Sequence, residues 1–172
     1  METGASTISS CKQCTVGQYE DTQGASSCQK CPSGTYGVES GAVAESQCKL
    51  CRKGSYNTET GQSTASACKS CLPGKYSSAK GASLEATCQV CVSGTYGEES
   101  GAVAESQCKR CRAGSYNVQT GQSTSSACKS CVPGKYSSQK GASTESTCRL
   151  CNLGKYSTTE GGASSSVCVD CG

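Results

Sequence analysis

The segment Cys48-Lys-Leu-Cys51-Arg-Lys-Gly54-Ser-Tyr56 contains the pattern that decides the fold. The pattern Cys-x-x-Cys-x-x-Gly-x-Tyr recurs about every twenty residues along the 172-residue chain, and each copy is followed by a polar loop with a second Gly. A fixed internal period is typical of repeat proteins, in which each unit packs on its neighbours. The sequence therefore predicts a tandem array of small modules.

The cysteine pairs define the expected module boundaries. When the second Cys of each pair is counted as position 0, a Gly follows at +3, a Tyr at +5 and another Gly at +10. The step between pairs is 20 residues from Cys28 onward and 17 residues before it. The expected repeats are residues 1–13 (partial), 14–30, 31–50, 51–70, 71–90, 91–110, 111–130, 131–150 and 151–170, with 171–172 as the start of a further one.

Each module is expected to be a β-hairpin. The Gly-x-Tyr segment suits a short strand, since Tyr favours extended, half-buried positions. The Gly at +10 suits a turn, because it tolerates a positive φ. No apolar period of 3.6 residues indicates a helix. The predicted fold class is small and disulfide-rich: a tandem array of hairpin modules of about 20 residues that forms an elongated rod or solenoid with little or no helix.

Composition excludes a conventional core and most chemistry. The chain has 18 Cys and 8 Tyr but no Trp, Phe or His, and its mean hydropathy is −0.46. Cross-links must therefore supply the stability that large apolar side chains usually give. Without His, no Ser-His or Cys-His catalytic pair can form, so we expect neither an enzyme nor a cofactor.

The expected partners are proteins. A net charge of +3 with interspersed charges gives no basic run for nucleic acid. No apolar run is long enough for a membrane span, and no leader peptide is visible. We expect self-association or contact with neighbouring repeats of a longer chain, and the Ser/Thr-rich loops could carry O-linked glycans.

A second period of 60 residues lies over the first. Residues 31–90 align with residues 91–150. Duplication of a three-module block explains this period, and so does a superhelix in which every third module presents the same face. Gly4-Ala5-Ser6 before Cys11 also matches Gly141-Ala142-Ser143 before Cys148, which suggests a window cut from a longer array.

The cysteines allow three interpretations. Disulfides could join the second Cys of one pair to the first Cys of the next pair, leaving Cys11 and Cys171 over. Interlocked disulfides, such as Cys11–Cys28 with Cys14–Cys31, would orphan one of nine pairs. The spacing also lies within the range of a Cys₄ zinc site. Such a site needs two cysteine pairs, however, and the uniform spacing does not indicate which pairs would combine.

The modules resemble the ephrin-receptor-like cysteine-rich repeat, and they are similar to the first half of a tumour-necrosis-factor-receptor cysteine-rich module. Residues 31–51, with Cys31-Pro-Ser-Gly34-Thr-Tyr36 and the closing Cys48-Lys-Leu-Cys51, carry the resemblance. It implies that each Cys before x-x-Gly-x-Tyr bonds the first Cys of the following pair. The implied disulfides are Cys14–Cys28, Cys31–Cys48, Cys51–Cys68, Cys71–Cys88, Cys91–Cys108, Cys111–Cys128, Cys131–Cys148 and Cys151–Cys168.

Such repeats occur in ectodomains and secreted proteins, so the resemblance implies an extracellular or cell-surface setting. We expect a structural segment of a stalk, surface coat or extracellular filament; the alternative is the spacer or ligand-binding ectodomain of a receptor or adhesin. The tyrosines are expected to pack over neighbouring disulfides. They are Tyr19, Tyr36, Tyr56, Tyr76, Tyr96, Tyr116, Tyr136 and Tyr156.

Overall fold

The computed structural model describes residues 13–172, and within them short antiparallel hairpins repeat along the chain. Each sheet has two strands, and each strand has two residues. The strands are β1 (Gln18–Tyr19), β2 (Gln29–Lys30), β3 (Thr35–Tyr36), β4 (Lys49–Leu50), β5 (Ser55–Tyr56), β6 (Lys69–Ser70), β7 (Lys75–Tyr76), β8 (Gln89–Val90), β9 (Thr95–Tyr96), β10 (Lys109–Arg110), β11 (Ser115–Tyr116), β12 (Lys129–Ser130), β13 (Lys135–Tyr136), β14 (Arg149–Leu150), β15 (Lys155–Tyr156) and β16 (Val169–Asp170).

The only helical segments in residues 13–172 are single 3-10 turns of three residues before the closing cysteines. Such short turns are typical connectors. They span Glu45–Gln47, Ala65–Ala67, Glu85–Thr87, Glu105–Gln107, Ser125–Ala127, Glu145–Thr147 and Ser165–Val167.

Each hairpin uses the sequence pattern in the same way. Its first strand holds the two residues after the Gly at +3, and its second strand holds the two residues between the cysteines of the next pair. In the hairpin of β5 and β6, Tyr56 lies opposite Lys69 and Ser55 lies opposite Ser70. The predicted fold class, disulfide-rich hairpin modules without long helices, is confirmed.

The chain divides into two units that interleave in sequence. The first unit contains the described residues up to Ser70 together with Ala79–Thr87, and it holds the hairpins from β1 to β6. The second unit contains Cys71–Ser78 and Cys88–Gly172, and it holds the hairpins from β7 to β16.

Disulfide sulfur forms most of the core in both units. The second Cys of a pair is the most deeply buried residue type, with an exposed fraction of 0–1% at Cys31, Cys51, Cys71, Cys91, Cys111 and Cys131. Apart from Tyr19, the other buried apolar side chains of the described residues are small, mainly Ala42, Ala82, Ala102 and Ala142. This core fits a chain without Phe or Trp, since cysteine behaves as a small, readily buried hydrophobe.

Successive modules are joined by their main chains, and we call this contact the joint. Between modules 91–110 and 111–130, Gly94 N donates to Asn117 O at 2.7 Å and Gly97 N donates to Gln122 O at 2.8 Å. Gly121 N donates back to Cys91 O at 2.7 Å. Among the described residues, the same three bonds recur at two joints in the first unit and at four in the second.

The Gly at +3 also brings each module against the next module but one. At Gly94, φ is +80°, and a Cβ atom there would overlap the carbonyl oxygen of Gly141, two modules away. The equivalent close approaches join Gly17 to Gly61, Gly34 to Gly81, Gly74 to Gly121 and Gly114 to Gly161. A left-handed φ and a missing side chain are both required at this position, so only Gly fits.

We expect Gly94→Ala to destabilise the second unit more than Gly134→Ala does. Gly134 has the same backbone conformation, with φ +82°, but nothing lies within 4 Å of a Cβ atom added there. Both variants carry the backbone cost of about 1–2 kcal/mol for a left-handed alanine, and only Gly94→Ala also collides with another module. Urea unfolding and amide hydrogen exchange measure the difference, and equal losses would contradict the proposed contact.

Candidate functional site: the joint between modules

Among residues 13–172, eight disulfides staple the hairpin modules, one within each module. Their Cα–Cα distances are 5.6–5.8 Å, within the usual range for a disulfide. They are Cys14–Cys28, Cys31–Cys48, Cys51–Cys68, Cys71–Cys88, Cys91–Cys108, Cys111–Cys128, Cys131–Cys148 and Cys151–Cys168.

These pairs are those that the resemblance implied. The interlocked alternative required a bond between Cys14 and Cys31, whereas Cys31 is bonded to Cys48. Cysteines held in disulfides have no thiolate to offer zinc, which removes the metal interpretation for them. Cys171 is free and exposed, and Cys11 lies outside the described residues.

The described part of the chain offers neither a metal cluster nor a membrane helix. From residue 13 to residue 172, the structure brings together no group of three or more carboxylate, thiol or imidazole side chains that could hold a metal ion. Over the same residues, it forms no helix with the length and apolar character of a membrane span.

The tyrosines lie where one module meets the next. Tyr19 is 6% exposed and packs in a cluster with Cys31, Ala42 and Cys48, so its ring contacts the disulfide of the following module. Six further tyrosines are half-buried: Tyr36, Tyr56, Tyr76, Tyr96, Tyr116 and Tyr136. Tyr156 is 50% exposed, because it lies in the last described hairpin, where no following loop covers it.

At two joints a glutamate at +14 accepts a hydrogen bond from the tyrosine of the preceding module. The Tyr19 hydroxyl donates to Glu45 Oε2 at 3.2 Å, and Tyr116 is paired with Glu145 in the same way. Burial raises the pKa of both phenols, and the carboxylates raise it further because they favour the neutral, donating form. At these two joints, the tyrosine hydroxyl therefore already has a carboxylate of the chain as its hydrogen-bond acceptor.

Two buried asparagines at +6 link modules through their side chains. Asn117 is 3% exposed; its Nδ2 donates to Thr95 O at 3.1 Å in the preceding module, and its Oδ1 accepts from Gln119 N at 3.0 Å. Asn57 makes the equivalent bonds to Thr35 and Glu59. No sequence pattern indicated this role, because +6 holds Glu, Gly, Asn or Ser in different modules.

Residues 3–48 match the protein family described as "Tyrosine-protein kinase ephrin type A/B receptor-like". No curated protein matches the chain. The Cys, Gly and Tyr spacing of the matched stretch continues along the chain, so the cysteine-rich module is repeated, with a disulfide about every 20 residues in the part of the chain that the structure describes. The matched family is a receptor-like repeat rather than an enzyme family. The density of disulfides in this chain is typical of extracellular proteins.

We expect the double variant Cys111→Ser, Cys128→Ser to loosen the hairpin formed by β11 and β12. The lost disulfide closes a loop with a sequence separation of 17, and such a link stabilises by about 3 kcal/mol. Amide hydrogen exchange should accelerate in β11 and β12, whereas Cys171→Ser, which removes the exposed free thiol, should leave exchange unchanged. Unaltered exchange in the double variant would contradict a stabilising role for the disulfide.

We expect Asn117→Asp to cost about 1–3 kcal/mol of stability, because a buried carboxylate cannot donate to the carbonyl of Thr95. Asn117→Ser is the matched control, since Ser137 and Ser157 occupy the same position in other modules, and its loss should be smaller. Protonation restores a donor, so the deficit of the aspartate variant should shrink as the pH falls. Urea unfolding at several pH values tests this; equal, pH-independent losses would contradict it.

Proposed function

We propose that the chain is a structural segment of an extracellular, disulfide-stapled rod in a stalk, surface coat or filament. The observation that supports this role best is the joint, whose three hydrogen bonds run from main chain to main chain. Because such a joint depends on Gly positions and not on particular side chains, the same contact can be repeated many times. A repeat array in which each module contacts only modules close to it along the chain is suited to spanning distance.

The match to a receptor-like repeat supports a second candidate, the spacer or ligand-binding part of a cell-surface ectodomain. In this alternative, the side chains on the return loops contact a ligand and the joints only hold those loops in place. The two candidates differ in what the purified chain does by itself, since a filament segment self-associates and a spacer stays monomeric.

The rod is tested by lengthening the chain. Insertion of a second copy of residues 91–150 after Leu150 adds 60 residues to the 172 of the native chain. The radius of gyration of a rod should rise in proportion to length, by about 35%, whereas that of a compact globule rises by only about 12%. Small-angle scattering distinguishes these values, and the smaller increase would exclude the rod.

Self-association is tested on the oxidised chain with Cys11→Ser and Cys171→Ser, because these are the two cysteines outside the eight disulfides and could otherwise form intermolecular disulfides. Sedimentation over a wide concentration range should give species larger than the monomer if modules of different chains join, and negative-stain images should show linear particles. A strictly monomeric chain that still behaves as a rod would favour the spacer role.

A further inference from the structure

A basic groove lies across the joint between modules 91–110 and 111–130. Its walls are formed by Tyr96 and Arg110 from one module and by Arg112, Ser125 and Ser126 from the next. The groove has a volume of about 370 Å³ and is open to solvent on one side. This volume lies within the usual range of small-molecule sites, about 300–1,000 Å³.

The groove occupies the place that a glutamate takes at other joints. Position +14 holds Glu45 beside Tyr19 and Glu145 beside Tyr116, and in both cases the carboxylate accepts from the phenol. Ser125 stands at +14 next to Tyr96, and its short side chain leaves the space beside the ring open. Within the described part of the chain, no hydrogen bond engages the Tyr96 hydroxyl.

Two guanidinium groups give the groove its charge. The stem of Arg110 runs past Gly141, where a Cβ atom would lie 3.3 Å from the arginine Cγ and Cδ. Arg112 is exposed, and neither arginine forms an ion pair with another described residue. Glu105 and Arg110 line the adjoining groove, whereas the lining of the groove that contains Arg112 includes no carboxylate.

We propose that this groove binds a carboxylate-bearing sugar unit, such as a hexuronic acid residue of an acidic polysaccharide. The sugar carboxylate would take the place of the missing glutamate, accepting from the Tyr96 hydroxyl and pairing with Arg112, since arginine binds carboxylates through two parallel hydrogen bonds. The C–H face of the sugar would pack on the half-buried Tyr96 ring. The hydroxyls of Ser125 and Ser126 offer polar partners for the ring substituents.

The size and lining of the groove favour a sugar over an acidic side chain. Glu45 and Glu145 reach a tyrosine with a single narrow side chain, whereas a volume of about 370 Å³ has room for a six-membered ring. The Ser126 hydroxyl already lies 2.7 Å from that of Thr124, so a ligand hydroxyl would join an existing pair. The site needs only the folded, oxidised chain and is independent of the structural role proposed above.

A sister groove 60 residues earlier supplies an internal comparison. It has the same volume, about 370 Å³, and contains Tyr36, Arg52 and Ser66 at the equivalent positions. Leu50 replaces Arg110 and Ala65 replaces Ser125, so this groove has one guanidinium instead of two. We expect it to bind the same sugar more weakly, because one of the two positive charges is absent.

The test titrates the full oxidised chain with methyl β-glucuronide and with methyl β-glucoside, the neutral control. Two-dimensional NMR resolves Tyr96 from Tyr36, and we expect larger shifts at Tyr96, with the glucuronide only. Arg112→Gln should weaken binding at Tyr96 roughly tenfold. Ser125→Glu should abolish binding, because its carboxylate would take the place that Glu45 and Glu145 have at other joints. Ser125→Ala should retain binding.

Each outcome decides the proposal. Shifts at Tyr96 that require the carboxylate and disappear in Ser125→Glu but not in Ser125→Ala would support it. Equal binding of glucoside and glucuronide, unchanged binding in Arg112→Gln, or no binding would overturn it. N-acetylglutamate amide serves as the probe for an acidic peptide. If it binds as tightly as the glucuronide, the sugar proposal is overturned in favour of a protein ligand. Unchanged amide spectra outside the joint verify that the variants are folded.

Discussion

Hydrogen bonds between main chains at the joints are the interaction on which the rest of the structure depends. They require the backbones of successive modules to come within 2.7–3.0 Å from nitrogen to oxygen, and the Gly at +3 permits this approach. The same glycine also brings each module against the next but one, as in the contact of Gly94 with Gly141. Every module is thus held by more than one neighbour, although none has a core large enough to fold alone.

The disulfides stabilise the individual modules, and the joints hold successive modules together. Disulfide sulfur fills the interior of each module, where Cys51 and Cys91 are almost completely buried, and the covalent link limits the unfolded states of each loop. The main-chain bonds then align one module with the next. Since both depend on Cys and Gly alone, the remaining side chains can vary, as Asn117, Ser137 and Gly97 do at one shared position.

The period of Cys, Gly and Tyr made the hairpins predictable, because each of these residue types has a strong local preference. The burial of tyrosine against the next disulfide was also expected, and Tyr19 shows it. The pattern could not reveal the contacts across modules. These are the approach of the Gly at +3 to a carbonyl two modules away, the hydrogen bond from the Asn117 side chain to the preceding module, and the groove beside Tyr96. These contacts depend on how the modules stack, and the repeat pattern does not say which residues of different modules meet.

The placement of the disulfides also determines how the chain carries tension. A pulling force passes from one Cys through the disulfide, across 5.6–5.8 Å between Cα atoms, and then along the three-residue step to the next opening Cys, about 11 Å at most. Each 20-residue module can therefore extend to roughly 16 Å, whereas the same residues without the bridge could reach about 70 Å. The long loops lie outside the path of the force, so a module cannot lengthen beyond this limit even if every hydrogen bond breaks.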